Sequence, residues 1–306
     1  MERPYGISDF AFPNQWDRES APDLIERAGR SSQRDRELGQ SERDAGSGSG
    51  RSNHGTDSSK TIYRGREREY SLRASEVRTI TDIGKFRVVP ADDLARFGYQ
   101  GNRAQMEGDV RNLARHGLVE QRTIEGHSSY STKVLTLTKD GQRLLERAQL
   151  VSNRQATYHG FVKPKEARHD ADVYRLYQKV AKEIERSGGK VRRVVLDFEL
   201  KKDLYKKLSR IQPDKDARYE RIFIANQFDL KVVDGKLPIP DLRIEYEDDC
   251  RDVHCLDLEI ATCDYRPQGL SEKAKAGFHM FARQQDHAKL RRVLDTQEIS
   301  AKIFSL

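Results

Sequence analysis

The stretch Asn102-Arg103-Ala104-Gln105-Met106 … His116-Gly117-Leu118-Val119, answered by Leu135-Thr136-Leu137-Thr138-Lys139-Asp140-Gly141, decides how the middle of the chain folds. Asn102 reads as an N-cap, with Gln105 three residues on as the reciprocal member of a capping box. Arg103 to His116 then puts Met106, Val110 and Leu113 on one face, as an amphipathic helix does, and Gly117 supplies a left-handed stop. Leu118 to Ile124 and Tyr130 to Leu137 alternate apolar and polar residues as strands do, joined by Glu125-Gly126-His127-Ser128-Ser129. Thr138 is placed to cap a further helix running through Leu144, Leu145 and Ala148.

Upstream, Val77, Ile80 and Ile83 make one apolar stripe in a helix beginning near Ser71. The extended piece Arg87-Val88-Val89-Pro90 follows, then a second helix from Ala91 to Phe97 with Leu94 inward and a turn from Gly98 to Gly101. Three helices and a two-stranded ribbon in this order resemble the winged-helix regulators, in which a Gly-Leu-Val exit also leads to a wing closed by Leu-Thr-x-x-Gly. The resemblance covers about residues 71–150 and implies double-stranded DNA as partner. Arg103, Glu107, Arg111 and Arg115 recur every four residues opposite the apolar stripe. A helix in the major groove needs long basic or amide side chains there. The expected DNA contacts are Arg103, Gln105, Arg111, Asn112 and Arg115 on the helix, with Arg122, His127 and Lys133 from the wing. A solvated face, with a Glu107–Arg111 pair worth a few tenths of a kcal/mol, and a protein-docking module remain open.

Working outward, the 306 residues carry a formal net charge of +7, with 56 Lys and Arg against 49 Asp and Glu. Residues 61–160 hold 17 basic and 12 acidic side chains, whereas residues 1–60 hold 9 and 11, so the excess sits where DNA contact is expected. Ser41 to Lys60 contains six Ser and four Gly, a composition that cannot offset backbone entropy, and residues 1–65 are expected to be a disordered tail and linker. Phe10, Phe12, Trp16, Leu24 and Ile25 offer it a short docking element. No window approaches 18 consecutive apolar residues and no hydrophobic leader stands at the N-terminus, which speaks against a membrane partner or secretion. Cys250, Cys255 and Cys263 cannot all pair and form no C-x-x-C, so the cytoplasm is the expected compartment.

Beyond residue 160 the expectation is a mixed α/β domain. It comprises a helix over Asp170 to Ser187, a strand over Val191 to Phe198 and a Lys-rich helix over Glu199 to Leu208. Arg218 to Gln227 is left open between helix and strand. Further strands follow at Leu230 to Val233, Asp241 to Glu247 and Val253 to Thr262, then a helix from Ser271 to Gln285 with Phe278 and Phe281 inward. From Asp241 to Asp264 there are nine acidic residues and two basic ones. If the turn pivots near Cys250, Asp241 lies opposite Glu259 and Arg243 opposite Asp257. Directly opposed Cβ atoms are roughly 4.5–5.5 Å apart, and like charges so placed are destabilising unless a cation stands between them. Two such carboxylates suit Mg²⁺ or Mn²⁺. A hairpin with a solvated acidic face is the alternative.

Pro240-Asp241 opening one strand and Asp257-Leu258-Glu259 on the next resembles the PD-(D/E)XK nuclease superfamily. The resemblance implies Asp241 and Glu259 as metal ligands, Asp257 beside them, and a Lys two residues after the Glu to orient water. That position is Ala261 here. Lys273 or Lys275 on the next helix could reach in instead, and Glu183 or Glu185 could add an acid. The whole plan is that of an α+β chain. A disordered tail (1–65) precedes an N-terminal winged helix-turn-helix domain (66–155) and a C-terminal mixed α/β restriction-endonuclease-like domain (160–306). It is similar to the replication-relaxation family of plasmid and mobile-element proteins. What that resemblance implies is a role in replication or mobilisation, as a homodimer or with other replication or mobilisation proteins. The missing Lys favours a non-catalytic DNA-binding protein. A metal-dependent endonuclease and a winged-helix transcriptional regulator stay open as alternatives.

Overall fold

The computed structural model describes residues 59–66, 68–125, 131–211, 217–263, 265–296 and 302–306. The Gly/Ser run and the aromatic tail fall outside them. Contacts gather Ser59–Leu306 into one compact unit.

The chain enters on a hairpin, β1 (Lys60–Arg64) and β2 (Glu69–Arg73), and continues into α1 (Ala74–Gly84), β3 (Val89–Pro90), α2 (Ala91–Gly98) and α3 (Arg103–Arg115). The wing is β4 (Val119–Glu125) and β5 (Ser131–Leu137), followed by α4 (Lys139–Arg147). The three-stranded sheet runs β3-β5-β4, antiparallel throughout. This is a winged helix-turn-helix, and its local chemistry follows the sequence. The Asn102 side chain accepts from the Gln105 backbone N–H at 3.1 Å, and Gln105 Oε1 accepts from Asn102 Nδ2 at 3.3 Å, while the Asn102 backbone N–H donates to the Tyr99 carbonyl instead of closing the box. Met106, Val110 and Leu113 are buried, and Gly117 takes φ +68°. Thr138 Oγ1 accepts from the Gly141 amide at 3.0 Å and donates to the Gly117 carbonyl at 2.6 Å. A Cβ at Gly141 would lie 2.2 Å from the Leu118 carbonyl oxygen, so the first turn of α4 can cross the strand entrance only with glycine there. The hairpin occupies residues assigned from sequence to the tail and to the start of the first helix. Tyr70 and Leu72 hold it down by burial.

Residues 151–163 run between the halves pinned to both. The Tyr158 amide donates to Gly84, the Gly160 amide to Leu137, and the Gln155 side chain bonds Val194 on the following sheet. Helix α5 (Pro164–Arg186) then begins six residues earlier than the apolar spacing suggests, with Pro at its first position, where a missing N–H costs nothing. It is buried on several sides. Val173, Tyr174, Leu176, Tyr177, Val180 and Ile184 are all covered, and Phe86 of the winged helix packs edge-on to Tyr174 at 5.1 Å.

Strand β6 (Lys190–Leu196) leads into α6 (Asp197–Leu208) and α7 (Ala217–Gln227), and β7 (Leu242–Glu247) and β8 (Val253–Ile260) complete an antiparallel meander. Helix α8 (Pro267–Ala276), β9 (His279–Ala282), α9 (Gln284–Thr296) and β10 (Ile303–Ser305) close the chain, and the five strands lie in the order β10-β9-β8-β7-β6. Two expectations fail. The helix from Ser271 to Gln285 is broken at Gly277, which takes φ +89° as a left-handed cap. The strand β9, His279 to Ala282, then pairs parallel to β8 instead of continuing the helix. Leu230 to Val233 makes an isolated bridge, Val233 to Lys236, because Leu230 and Val233 are drawn into the cluster with Val195, Leu204 and Phe278.

Candidate functional site

Helix α3 presents Arg103, Gln105, Glu107, Arg111 and Arg115 to solvent. Arg103 is held by Asp92 at 2.9 Å and Glu107 at 3.0 Å, so the expected Glu107–Arg111 pair is replaced by Arg103–Glu107. Arg111 and Arg115 form no ion pair or hydrogen bond among the described residues. Asn112 departs from expectation. Its Nδ2 donates at 2.8 Å to Glu76, a buried carboxylate that also accepts from the Arg73 amide. It sits beside the apolar stripe, where the need to satisfy Glu76 turns it inward. On the wing, Lys133 is exposed, whereas Arg122 lies with its guanidinium 4.3 Å from the Phe161 ring centroid. His127 lies outside the described residues.

The second candidate forms where β7 and β8 begin and end. Arg243 stands opposite Asp257 and Leu242 opposite Leu258, the register expected from a pivot near Cys250. One step further, the Asp241 amide donates to Glu259 Oε2 at 3.2 Å, and Asp241 Oδ2 accepts from the Ile260 amide at 2.9 Å. The two carboxylates are therefore neighbours. Lys273 reaches in from α8, with Nζ 2.8 Å from Glu259 Oε2 and 2.5 Å from the Ile239 carbonyl. Lys275 does not; it pairs with Asp234 on the surface at 3.1 Å. Ala261 is packed among Leu270, Met280 and Leu290, so a cation arrives from the helix and not from the strand.

Three candidates lie elsewhere. Asp257 is held in a two-pronged pair by Arg243, at 2.6 and 2.8 Å, and that guanidinium also donates to the Phe228 and Asp229 carbonyls. Such a pair fixes the chain over the sheet and leaves Asp257 no free oxygen. Glu183 pairs with Arg186 at 3.2 Å, and Glu185 is exposed. Both stand about 20 Å or more along α5 from the residue that meets Asp241. That residue is His169, whose Nε2 lies 3.2 Å from Asp241 Oδ2. His169, beside Asp170, reads from the sequence as a structural histidine and not a metal ligand, and Tyr265, whose hydroxyl donates to Glu259 Oε1, is not marked by the sequence. Their separation from the motif is bridged only by the fold.

Burial opposes the charged imidazole of His169, but the Asp170 and Asp241 carboxylates outweigh it and push it up to about 10. Burial raises the Asp241 carboxyl, yet its bond to His169, the charges of His169 and Lys273, and the Ile260 amide hold it below its ordinary value. Glu259 is fully buried, and burial and the Asp241 charge push it up to about 7, against the pull of Lys273 and Tyr265. The Asp241 side opens on a narrow cleft lined by Phe86, Arg87, His169, Asp170, Asp197 and Phe198.

Each carboxylate thus has its own cation from the chain, and both Glu259 oxygens are engaged. A divalent ion between them would have to displace Lys273 or Tyr265 from Glu259 and share Asp241 with the His169 cation. The group of three metal-ligating side chains whose ligand atoms lie within 4.8 Å of one another among the described residues is Asp248, half-buried, with Asp249 and Cys250, exposed, on the β7–β8 turn, and it includes neither Asp241 nor Glu259. The residues present therefore fit internal neutralisation and not a bound Mg²⁺ or Mn²⁺. The acidic face is not solvated throughout, since Glu259 and Arg243 are buried and Asp241 and Asp257 half-buried, whereas Asp249 and Asp252 at the turn are exposed.

No helix among the described residues is long and apolar enough to cross a membrane. No protein-family model matches the chain, and no curated protein matches it. Among solved structures the chain is similar to a MepR point mutant from a multidrug-resistant S. aureus clinical isolate. The identity is 16% over 36% of this chain and 80% of that one, with a TM-score of 0.23. It is also similar to Bacillus subtilis PadR in complex with operator DNA, at 13% identity over 51% of this chain and 95% of that one, with a TM-score of 0.22.

Proposed function

We propose that this chain is a DNA-binding protein that reads duplex DNA with α3 and the β4–β5 wing. In this reading the α/β half is a nuclease-like sheet whose carboxylates serve the fold and not a metal. The observation that carries the reading is the pair Arg111 and Arg115, exposed and unpartnered among the described residues on the outer face of α3 while the opposite face is buried. Guanidiniums held on a rigid helix suit phosphates and guanine edges. The neighbouring Asp241 and Glu259, with Lys273 in place of a strand lysine, support descent from a PD-(D/E)XK frame. The likeness in plan to the replication-relaxation family supports work in plasmid or mobile-element replication or mobilisation.

The test is titration of duplex DNA into the full chain by fluorescence anisotropy. Arg111→Ala/Arg115→Ala should weaken binding at least about tenfold, since one good bidentate contact is worth roughly 1–3 kcal/mol. Unchanged affinity in a variant with the wild-type circular dichroism would overturn the reading. Nicking of supercoiled plasmid by the wild type in Mg²⁺, abolished in Asp241→Asn, would overturn its non-catalytic half.

A further inference from the structure

The hairpin β1–β2 and its turn carry Lys60, Arg64, Arg66, Arg68 and Arg73 against two acids, Glu67 and Glu69, of which Glu69 pairs with Arg64 at 3.1 Å. Its tip is fixed at both ends of a short span. Arg68 donates to the His116 carbonyl at 2.5 Å and through Nε to the Tyr70 hydroxyl at 3.0 Å, and the Tyr70 ring meets His116 edge-on at 6.0 Å. From the other side, Arg147 of α4 donates to the Gly65 carbonyl at 3.0 Å. Between tip and helix lies an open cleft lined by Gly65, Arg66, Arg68, Tyr70, Asp140, Arg143 and Leu144. Among the described residues three guanidiniums line it with one carboxylate, Asp140, which is exposed and 3.2 Å from Arg143. Arg66 forms no ion pair or hydrogen bond among the described residues. A cleft so polar and so positive suits an anion with several acceptor oxygens.

Its place in the fold decides which anion. Arg68 is tied to His116, the residue after Arg115, so the cleft prolongs the basic row of α3 beyond the end of that helix. We infer that the hairpin–α4 cleft is a second contact for the sugar-phosphate backbone of the DNA read by α3, with Arg66 and Arg143 binding phosphates and Arg68 fixing the tip. This rests on the proposed function, and it adds a surface that neither the helix nor the wing supplies. Backbone contacts of this kind add affinity without sequence information.

The experiment is a salt series on the full chain with two unrelated duplexes. Removing two phosphate contacts lowers the slope of log K against log salt concentration by about 1.8, at about 0.9 per contact on B-form DNA. Arg66→Ala/Arg143→Ala should show that loss equally on both duplexes. Arg291→Ala/Arg292→Ala, which removes the same charge from α9, should leave the slope unchanged. An unaltered slope in the hairpin variant, while Arg111→Ala/Arg115→Ala still loses binding, overturns the cleft and leaves the proposed function standing. An equal fall in both charge-removal variants reduces the effect to net charge and also overturns the cleft. Absence of binding by the wild type overturns both.

Discussion

Replacing Lys273 with Met removes the ammonium from Glu259 while keeping the length of the side chain. Glu259 is fully buried, and its other oxygen is occupied by Tyr265, so Nζ of Lys273 is its one cationic partner among the described residues. Breaking a buried pair from one side costs about 3–5 kcal/mol when the remaining charge stays. Glu259 has an escape, because its carboxyl is already pushed up to about 7 by burial and by Asp241. Without Lys273 it rises further, and at pH 5.5 it is neutral in wild type and variant alike. The variant should then lose about 1 kcal/mol, the net value of a hydrogen bond. At pH 8.5 the wild type holds an ionised pair, whereas the variant must bury either a bare carboxylate or a proton taken up against the solution pH. Each unit between pH and pKa adds about 1.4 kcal/mol, bringing the loss to about 3 kcal/mol. Urea unfolding at both pH values measures this directly, with His169 common to both proteins and cancelling in the difference. Glu259→Gln/Lys273→Met should recover most of the loss at pH 8.5. An equal loss at the two pH values, or a double variant no better than the single one, would refute the assignment of Lys273 as the internal counter-ion.

Two further outcomes follow from the same structure. His169 has a folded pKa raised to about 10, above its ordinary 6.5, so the stability it confers is complete below pH 6.5 and is lost as pH rises toward 10. His169→Gln should flatten that decline in thermal melts taken across the same interval, and a wild-type slope in the variant would refute the pairing. Gly141→Ala drives a Cβ to 2.2 Å from the Leu118 carbonyl and should cost more than about 2 kcal/mol in urea unfolding, whereas Gly108→Ala, which meets nothing on the exposed side of α3, should not.

The parts of this molecule legible in its sequence are those set by neighbours a few residues away. The cap at Asn102, the stop at Gly117 and the Thr138–Gly141 turn are local devices, and all three adopt the geometry their residue types demand. The opposition of Arg243 and Asp257 was legible because a short turn leaves few registers in which both strands keep an apolar face. What escaped is set from a distance. Phe278 and Phe281 have spacing that suits a helix, but Gly277 ends the helix before them and the edge of β8 draws Phe281 into a strand. Asn112 has the composition of a DNA contact but lies beside Glu76, contributed by α1. His169 reaches Asp241 only after α5 crosses the sheet, and no local pattern announces it. The hairpin escaped because Tyr70 and Leu72 are too few to stand out from a charged stretch.

Helix α5 gives the chain a particular evolutionary situation. Tyr174 and Gln178 bond Asp82 of α1, Arg175 bonds Asp93 of α2, and Asp172 on the same helix takes Arg283 from the end of β9 in the other half. Its apolar side chains are shared in the same way, with Phe86 against Tyr174 and Tyr177. A winged-helix head and an α/β body joined by a loose tether can be exchanged between lineages as separate cassettes. Here the joint is itself core, so a foreign head would arrive without its matching acids and leave arginines and tyrosines of α5 unanswered. Recombination within this chain is thereby discouraged, and the two halves are bound to diverge together.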